Sequence, residues 1–150
     1  MRGDFLNSSS GSTFSHKRKV EKLTSAYQLL EKDSGKIFML NSASEFATTL
    51  PAVADAGSGW YCKIVVDAAP SGASYTVVEK AASDTDVIVV NGINELEVDT
   101  NDDGVYSAGC TTITFADGVA LQGDFIDIWC DGSKYYVSGQ TKADGGISVA

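Results

Sequence analysis

Residues 60–66 read WYCKIVV, and this stretch decides the fold. In an extended chain, Trp60 and Cys62 fall on one side, and Tyr61 and Lys63 fall on the other. Side chains alternate between the two faces of a β-strand, so strict alternation predicts a strand with one face in a hydrophobic core. No long stretch with helical periodicity competes with this pattern. The sequence therefore predicts an all-β protein.

Residues 124–130 read DFIDIWC and repeat the alternation further along the chain. Phe125, Asp127 and Trp129 share one side, and the other side carries Ile126, Ile128 and Cys130. Asp127 is a charged residue between two isoleucines. We expect it either to lie on a solvent-facing surface or to be paired across an interface, and the sequence leaves both readings open.

Eight more short segments predict strands because they are apolar and are bounded by turn residues. They are 25–30, 36–40, 45–50, 74–79, 86–90, 95–98, 111–115 and 134–138. The pair Asn91-Gly92 predicts a hairpin turn, and a short helix is predicted over 17–23. About ten short strands at this spacing predict a sandwich or a jelly-roll-like barrel of antiparallel strands, with an extended N-terminal arm.

Charge and composition divide the 150 residues into three predicted parts: a flexible basic arm over 1–23, a β-domain over 24–140 and a glycine-rich tail over 141–150. The tail is predicted to be flexible or to extend onto a neighbouring copy. In residues 1–22, five basic and two acidic residues leave a charge of +3. The remaining six basic and 18 acidic residues leave -12. We expect so acidic a body to repel nucleic acid.

The three cysteines, Cys62, Cys110 and Cys130, cannot all pair within one chain, and their spacing fits no metal site. We expect buried, reduced thiols in a protein made in the cytosol. No signal peptide is visible, and no apolar run approaches the roughly 20 residues of a membrane helix. The sequence therefore predicts no membrane partner.

Candidate catalytic and metal-binding groups are few. His16 is the single histidine and lies in the arm, so no nucleophile–histidine site is predicted. Most aspartates are predicted to be solvated turn residues: Asp33, Asp55, Asp84, Asp103, Asp117 and Asp131. Asp99, Asn101, Asp103 and Gly104 match the first half of a calcium-binding loop, but Cys110 stands where a glutamate is needed. An acidic turn is the preferred reading, and we expect no enzyme, cofactor or metal.

Two stretches resemble a known family. The first is residues 27–40, YQLLEKDSGKIFML, followed by TTLP at 48–51, and the second is residues 123–139, GDFIDIWCDGSKYYVSG. Together they resemble β-rich virion proteins of tailed phages, especially marine and cyanobacterial phages. The resemblance spans about residues 24–140. It implies a capsid decoration (cement) protein on the outer surface of the virion, which binds the major capsid protein and forms a homotrimer.

The arm lies outside that resemblance, and its role is predicted from its residues alone. The arm contains a few apolar side chains and a basic cluster within flexible sequence. This composition suits binding to the capsid or to another partner. The predicted partner-binding residues are Phe5, Leu6, Phe14, Lys17, Arg18 and Lys19. The tripeptide Arg2-Gly3-Asp4 matches a cell-adhesion motif but is short enough to arise by chance.

The alternative function is a receptor- or glycan-binding β-module of a phage fibre or tail. In that reading Trp60, Tyr61, Tyr135 and Tyr136 form an exposed sugar platform. Packing of these aromatic residues in a core or an interface is the preferred reading.

Overall fold

The alternating segments of the sequence form two β-sheets around a shared core. The structure, a computed structural model, describes residues 17–98 and 104–150. The seven-stranded sheet contains, in spatial order, β1 (Val20–Leu23), β3 (Ile37–Leu40), β5 (Ser58–Val66), β10 (Phe125–Asp131), β11 (Tyr135–Thr141), β7 (Ile88–Glu95) and β8 (Val105–Cys110). The five-stranded sheet contains β12 (Ile147–Val149), β9 (Thr112–Phe115), β6 (Tyr75–Val78), β4 (Ala47–Thr49) and β2 (Tyr27–Gln28).

Helical structure in the described part is confined to a 3₁₀ turn at Glu31–Asp33 and the single-turn helix α1 at Val53–Ala56. The prediction of an all-β sandwich is confirmed, with twelve strands in the described residues where about ten were expected. None of the described helices is long and apolar enough to span a membrane.

The strand pairing differs from the prediction of an antiparallel fold. From β1 to β6 the chain alternates between the two sheets. Within each sheet, strands two positions apart in the chain pair in parallel: β1 with β3, β3 with β5, β2 with β4 and β4 with β6. A parallel pair needs a crossover connection, and here the crossover runs through the opposite sheet. With β11 and β7 also parallel, five of the ten pairings between described strands are parallel.

The core lies between the two sheets and is built by the alternation that the sequence shows. Trp60, Cys62, Ile64 and Val66 of β5 are all buried, as predicted. The alternate residues Ile126, Ile128 and Cys130 of β10 lie beside them and are fully buried. The second sheet contributes Tyr75, Val77, Ile113, Phe115 and Ile147.

Two predicted local structures are wrong, and the strand predicted over 95–98 does not extend beyond Glu95, where β7 ends. The chain around Asn91-Gly92 does not turn, because β7 runs from Ile88 to Glu95 and pairs with β11 along that length. The register of β7 against β8 shifts in this region, so Gly92 lies in an irregular part of a strand and not in a hairpin turn. The helix predicted over 17–23 is also wrong, because Val20–Leu23 forms edge strand β1 and Leu23 enters the core.

Other differences concern the ends of the domain. The strand predicted over 25–30 shrinks to the two residues of β2, and the chain then enters the 3₁₀ turn. Strand β8 was not predicted. Within the predicted tail, β12 pairs with β9 of the same chain and buries Ile147, so residues 147–149 belong to the sandwich.

Candidate binding face

The face of the seven-stranded sheet that points away from the core carries side chains in rows across the strands, and two neighbouring rows combine exposed aromatic and charged groups. Strand register places Tyr61 of β5, Trp129 of β10 and Tyr136 of β11 side by side, and we call these three residues the aromatic row. Two residues along the strands, the same register places Lys63, Asp127 and Ser138 side by side as the polar row. The spacing along a strand puts the two rows about 7 Å apart.

Trp129 is the most exposed member of the aromatic row. It lies on β10, in the middle of the sheet, yet 47% of its surface is exposed. Its ring stacks on Tyr136, with the ring centroids 4.6 Å apart and the planes 20° from parallel. The Tyr136 hydroxyl donates to Asp131 Oδ2 at 3.3 Å, and the negative charge of Asp131 raises the pKa of Tyr136. These contacts fix the position of the two rings relative to each other.

Tyr61 closes the other end of the aromatic row. Its hydroxyl donates to Asp127 Oδ1 at 3.0 Å, and the Arg18 guanidinium carbon lies 4.5 Å from its ring centroid. Burial and the hydrogen bond to Asp127 both raise the pKa of Tyr61, so the hydroxyl remains a donor at neutral pH. Tyr61 therefore connects the aromatic row to the polar row.

Asp127 lies on the outer face and is paired within its own chain. Besides the Tyr61 hydroxyl, the Lys63 ammonium lies 3.8 Å from its Oδ2 atom. Its carboxylate side chain keeps 33% of its surface exposed. Of the two readings that the sequence left open, the solvent-facing one describes Asp127 in the single chain. The polar row is thus accessible and has both donors and acceptors.

Of the four aromatic residues in the alternative sugar-platform reading, two lie in the core, as the preferred reading of core or interface packing expected. Trp60 is 2% exposed and Tyr135 is fully buried, because both point into the core. The Trp60 Nε1–H donates to the Leu30 carbonyl oxygen at 3.1 Å, and the Tyr135 hydroxyl donates to the Pro51 carbonyl oxygen at 2.7 Å. Tyr61 and Tyr136 do reach the outer face. The residue that sequence reasoning missed is Trp129, although alternation had placed it opposite Ile128.

The predicted partner-binding arm is described only from residue 17 onward. Lys17, Arg18 and Lys19 are exposed and lead directly into β1. Arg18 contacts Tyr61, and Lys19 lies 4.0 Å from Glu21. The predicted residues Phe5, Leu6 and Phe14 lie outside the described residues, as do Arg2-Gly3-Asp4, His16 and the acidic residues 99–103.

Two of the aspartates predicted to be solvated turn residues, Asp33 and Asp84, are buried, which corrects the expectation for them. Asp55, Asp117 and Asp131 are exposed, as expected. Asp33 has no exposed surface; its Oδ2 accepts from the Leu30 backbone N–H at 2.9 Å, and its Oδ1 lies 2.6 Å from Lys36 Nζ. Burial alone would raise the pKa of Asp33, but the hydrogen bonds from Lys36, Leu30 and Tyr27 outweigh it and hold that pKa below its usual value. Asp84 is also buried and accepts from the first backbone N–H of α1, at Val53. These carboxylates close turns and cap helices.

The cysteines match the sequence prediction. Cys62, Cys110 and Cys130 are free and buried. Burial strongly raises the pKa of Cys62, and it also raises the pKa values of Cys110 and Cys130. A thiol held neutral in an apolar strand is a poor nucleophile and a poor metal ligand. In the part of the chain that the structure describes, no three His, Cys, Asp or Glu side chains form a group that could hold a metal ion.

Fold and face together define an all-β sandwich whose accessible features are an aromatic row, a polar row and an exposed basic segment. Comparison with known proteins found no matching family model, no matching curated protein and no matching solved structure. The function is therefore argued from the chain itself.

Proposed function

We propose that this chain is a structural protein of a tailed-phage virion: a capsid decoration (cement) protein that binds the assembled major capsid lattice and stabilises it. The observation that carries the proposal is the anchoring of the basic segment. Lys17, Arg18 and Lys19 are exposed, and the next four residues are built into the sandwich as β1.

An arm that attaches the protein to a capsid must itself be firmly joined to the folded domain. β1 pairs with β3 over four residues, and Leu23 at its end is buried in the core. Two ion pairs fasten the strand further: Lys22 Nζ lies 2.9 Å from Asp67 Oδ2, and Lys36 Nζ lies 3.0 Å from Glu21 Oε2. A load on residues 1–19 is therefore passed into the whole sheet.

Charge supports attachment to a protein surface. The segment before β1 is basic, while residues 23–150 carry -12. A protein partner with an acidic groove would attract the arm and would be repelled by the body, which orients the subunit as it docks. Nucleic acid would meet the same repulsion from the body over a much larger surface.

Stabilisation of the shell would follow from mass action. A protein that binds only the assembled lattice shifts the equilibrium toward that lattice, in proportion to the logarithm of its concentration over its dissociation constant. In a homotrimer at a threefold position, three linked arms would bind together, and the overall affinity would exceed that of a single arm. The proposed partners are thus the major capsid protein and two sister copies.

Sedimentation with heads that lack the protein tests the proposal. The full chain should cosediment with expanded heads, and a chain that begins at Val20 should be lost from the pellet. Because β1 is intact in this variant, its melting temperature should stay close to that of the full chain. The triple variant Lys17→Ala, Arg18→Ala, Lys19→Ala should weaken binding less, and mainly at low salt, because exposed charge contacts are screened.

Two outcomes would contradict the proposal. Full-strength binding by the truncated chain would contradict the anchoring role of the arm and would make the folded body the binding element. Failure of the full chain to bind heads under any salt condition would remove the decoration function altogether.

A receptor- or glycan-binding module of a fibre or tail is the second candidate, and the exposed Trp129–Tyr136 stack favours it. The number and place of copies separate the two candidates. Decoration requires many copies on the head, whereas adhesion requires a few copies at the tail.

A further inference from the structure

We propose that the outer face holds a binding site for an extended, neutral, β-1,4-linked oligosaccharide, with Trp129 as its stacking residue. The site consists of the aromatic row and the polar row. The arm that the proposed attachment to the capsid uses touches this site at Tyr61, where Arg18 lies 4.5 Å from the ring centroid. Because the stacking residue is Trp129 of β10 and not an arm residue, the site adds a second binding activity, whichever part of a virion carries the chain.

The aromatic row supplies the surface on which a sugar ring can stack. One face of each sugar ring is a patch of C–H groups, which packs against the flat, electron-rich face of an aromatic side chain. Trp129 is 47% exposed in the middle of the sheet, and its contact with Tyr136 fixes its orientation before any ligand arrives. A preorganised ring loses little conformational entropy on binding.

The polar row lies where the hydroxyl groups of a stacked sugar would point. Asp127 presents a partly exposed carboxylate, which can accept hydrogen bonds from two neighbouring hydroxyls. Lys63 is a donor, and the exposed Ser138 on the next strand can donate or accept. At the rim of the stack, Asp131 provides a further exposed acceptor.

The close combination of aromatic and charged side chains on this face favours a sugar ligand over a protein partner. The core of a protein interface is depleted of charged residues, whereas here the Lys63–Asp127 pair lies beside the exposed indole. A ligand that has apolar faces and hydroxyl edges matches both rows at once. The charges of Lys63 and Asp127 offset each other, and the charge of Arg18 at Tyr61 offsets that of Asp131 at Tyr136. A neutral glycan therefore suits the site better than a strongly charged one.

The extent of the two rows across the sheet selects the form of the ligand. The two rows span three adjacent strands, β5, β10 and β11, which gives a platform about 10 Å wide. β-1,4-linked hexoses form extended ribbons that can lie along such a surface, whereas α-1,4-linked glucose chains coil. The site should therefore bind several sugar units and prefer β-1,4-linked chains.

Titration of the full chain with cellohexaose, chitohexaose and mannohexaose tests the site, with maltohexaose as the coiled control. At least one of the three β-1,4-linked probes should bind at millimolar concentration or below, more tightly than maltohexaose, and change the tryptophan fluorescence. Of the two tryptophans, Trp60 is buried, so the change reports on Trp129. Trp129→Ala should weaken binding at least tenfold, and isothermal titration calorimetry should give the same result.

Tyr106→Ala is the matched control, because Tyr106 is an exposed aromatic residue on edge strand β8 of the same sheet. It should leave binding unchanged, and Trp129→Ala should still cosediment with heads. The proposal is overturned if none of the three β-1,4-linked probes binds, or if Trp129→Ala binds as well as the unaltered chain. It is also overturned if head-bound protein shields Trp129 from iodide quenching, because the face is then a protein contact.

Discussion

The ammonium group of Lys36 joins the buried Asp33 to Glu21 of strand β1, and Lys36→Met tests how much these two contacts stabilise the domain. Lys36 Nζ lies 2.6 Å from Asp33 Oδ1 and 3.0 Å from Glu21 Oε2. Asp33 is fully buried, whereas the Glu21 side chain is 30% exposed. The substitution keeps most of the side-chain volume and removes both contacts.

The two contacts differ in strength because their exposure differs. A hydrogen bond to a buried charged group contributes about 1.5–3 kcal/mol, and a partly exposed ion pair contributes roughly 0.2–1 kcal/mol. The free energy of unfolding should therefore fall by about 2–4 kcal/mol at neutral pH. For a domain of this size, that corresponds to a drop in melting temperature of roughly 5–15 °C.

The loss should depend on pH in a defined direction. In the unaltered chain the pKa of Asp33 is lowered, so its stabilising contribution is present above the unfolded pKa and is lost as pH falls through the lower folded value. Without Lys36, burial is opposed only by the hydrogen bonds from Leu30 and Tyr27, so the pKa of Asp33 should be higher than in the unaltered chain. Protonation in acid then relieves a buried charge that has lost its ion-pair partner. The difference between the two proteins should therefore be largest near neutral pH and shrink below about pH 4.

Urea unfolding followed by circular dichroism measures both effects. The double variant Asp33→Asn, Lys36→Met is the control, because removing both charges avoids the unpaired buried carboxylate and should recover part of the lost stability. The reasoning fails if Lys36→Met unfolds within about 0.5 kcal/mol of the unaltered chain, or if the difference between them stays constant into acid.

Two further predictions concern the core. Gly139→Ala should destabilise the protein by about 1–3 kcal/mol or more, since a Cβ there would meet the Phe125 carbonyl oxygen and the Cα of Ile126. Gly92→Ala, in the same sheet with open space around the added Cβ, should leave the melting temperature unchanged or slightly raised, and equal losses in the two variants would contradict the packing argument. The three buried thiols should react with a disulfide reagent only as fast as the protein unfolds, because burial raises their pKa values; rapid reaction of any thiol in the native protein would show that its strand opens.

The alternation within single strands could be predicted from sequence because it is a local property. The faces of β5 and β10 agree with prediction at every position from Trp60 to Val66 and from Phe125 to Cys130. The pairing of strands could not be predicted this way. Nothing local to residues 37–40 indicates that β3 lies between the parallel strands β1 and β5.

The two local errors have physical reasons as well. Asn91-Gly92 is a strong hairpin signal, but pairing along β11 and the burial of Ile88, Val90 and Ile93 favour a continuous strand. Residues 17–23 have few strand-forming side chains. β1 forms because its backbone pairs with the edge of β3 and because Leu23 is buried in the core.

The candidate site was partly within reach of sequence reasoning. The predicted aromatic residues were chosen by type, and two of the four fall on the core face of their strands. Selection by face would have kept Tyr61 and Tyr136, rejected Trp60 and added Trp129, because alternation alone places Trp129 opposite Ile128 and Cys130. The stacking of Trp129 on Tyr136 depends on the register of β10 against β11, which only the structure supplies.

Imaging of intact virions with a gold-labelled antibody against this chain tests the central claim most directly. The proposed decoration function predicts many gold particles over the head of every virion, spaced regularly in averaged images and absent from the tail. Label confined to the tail or its fibres, or no label on the virion, would contradict it.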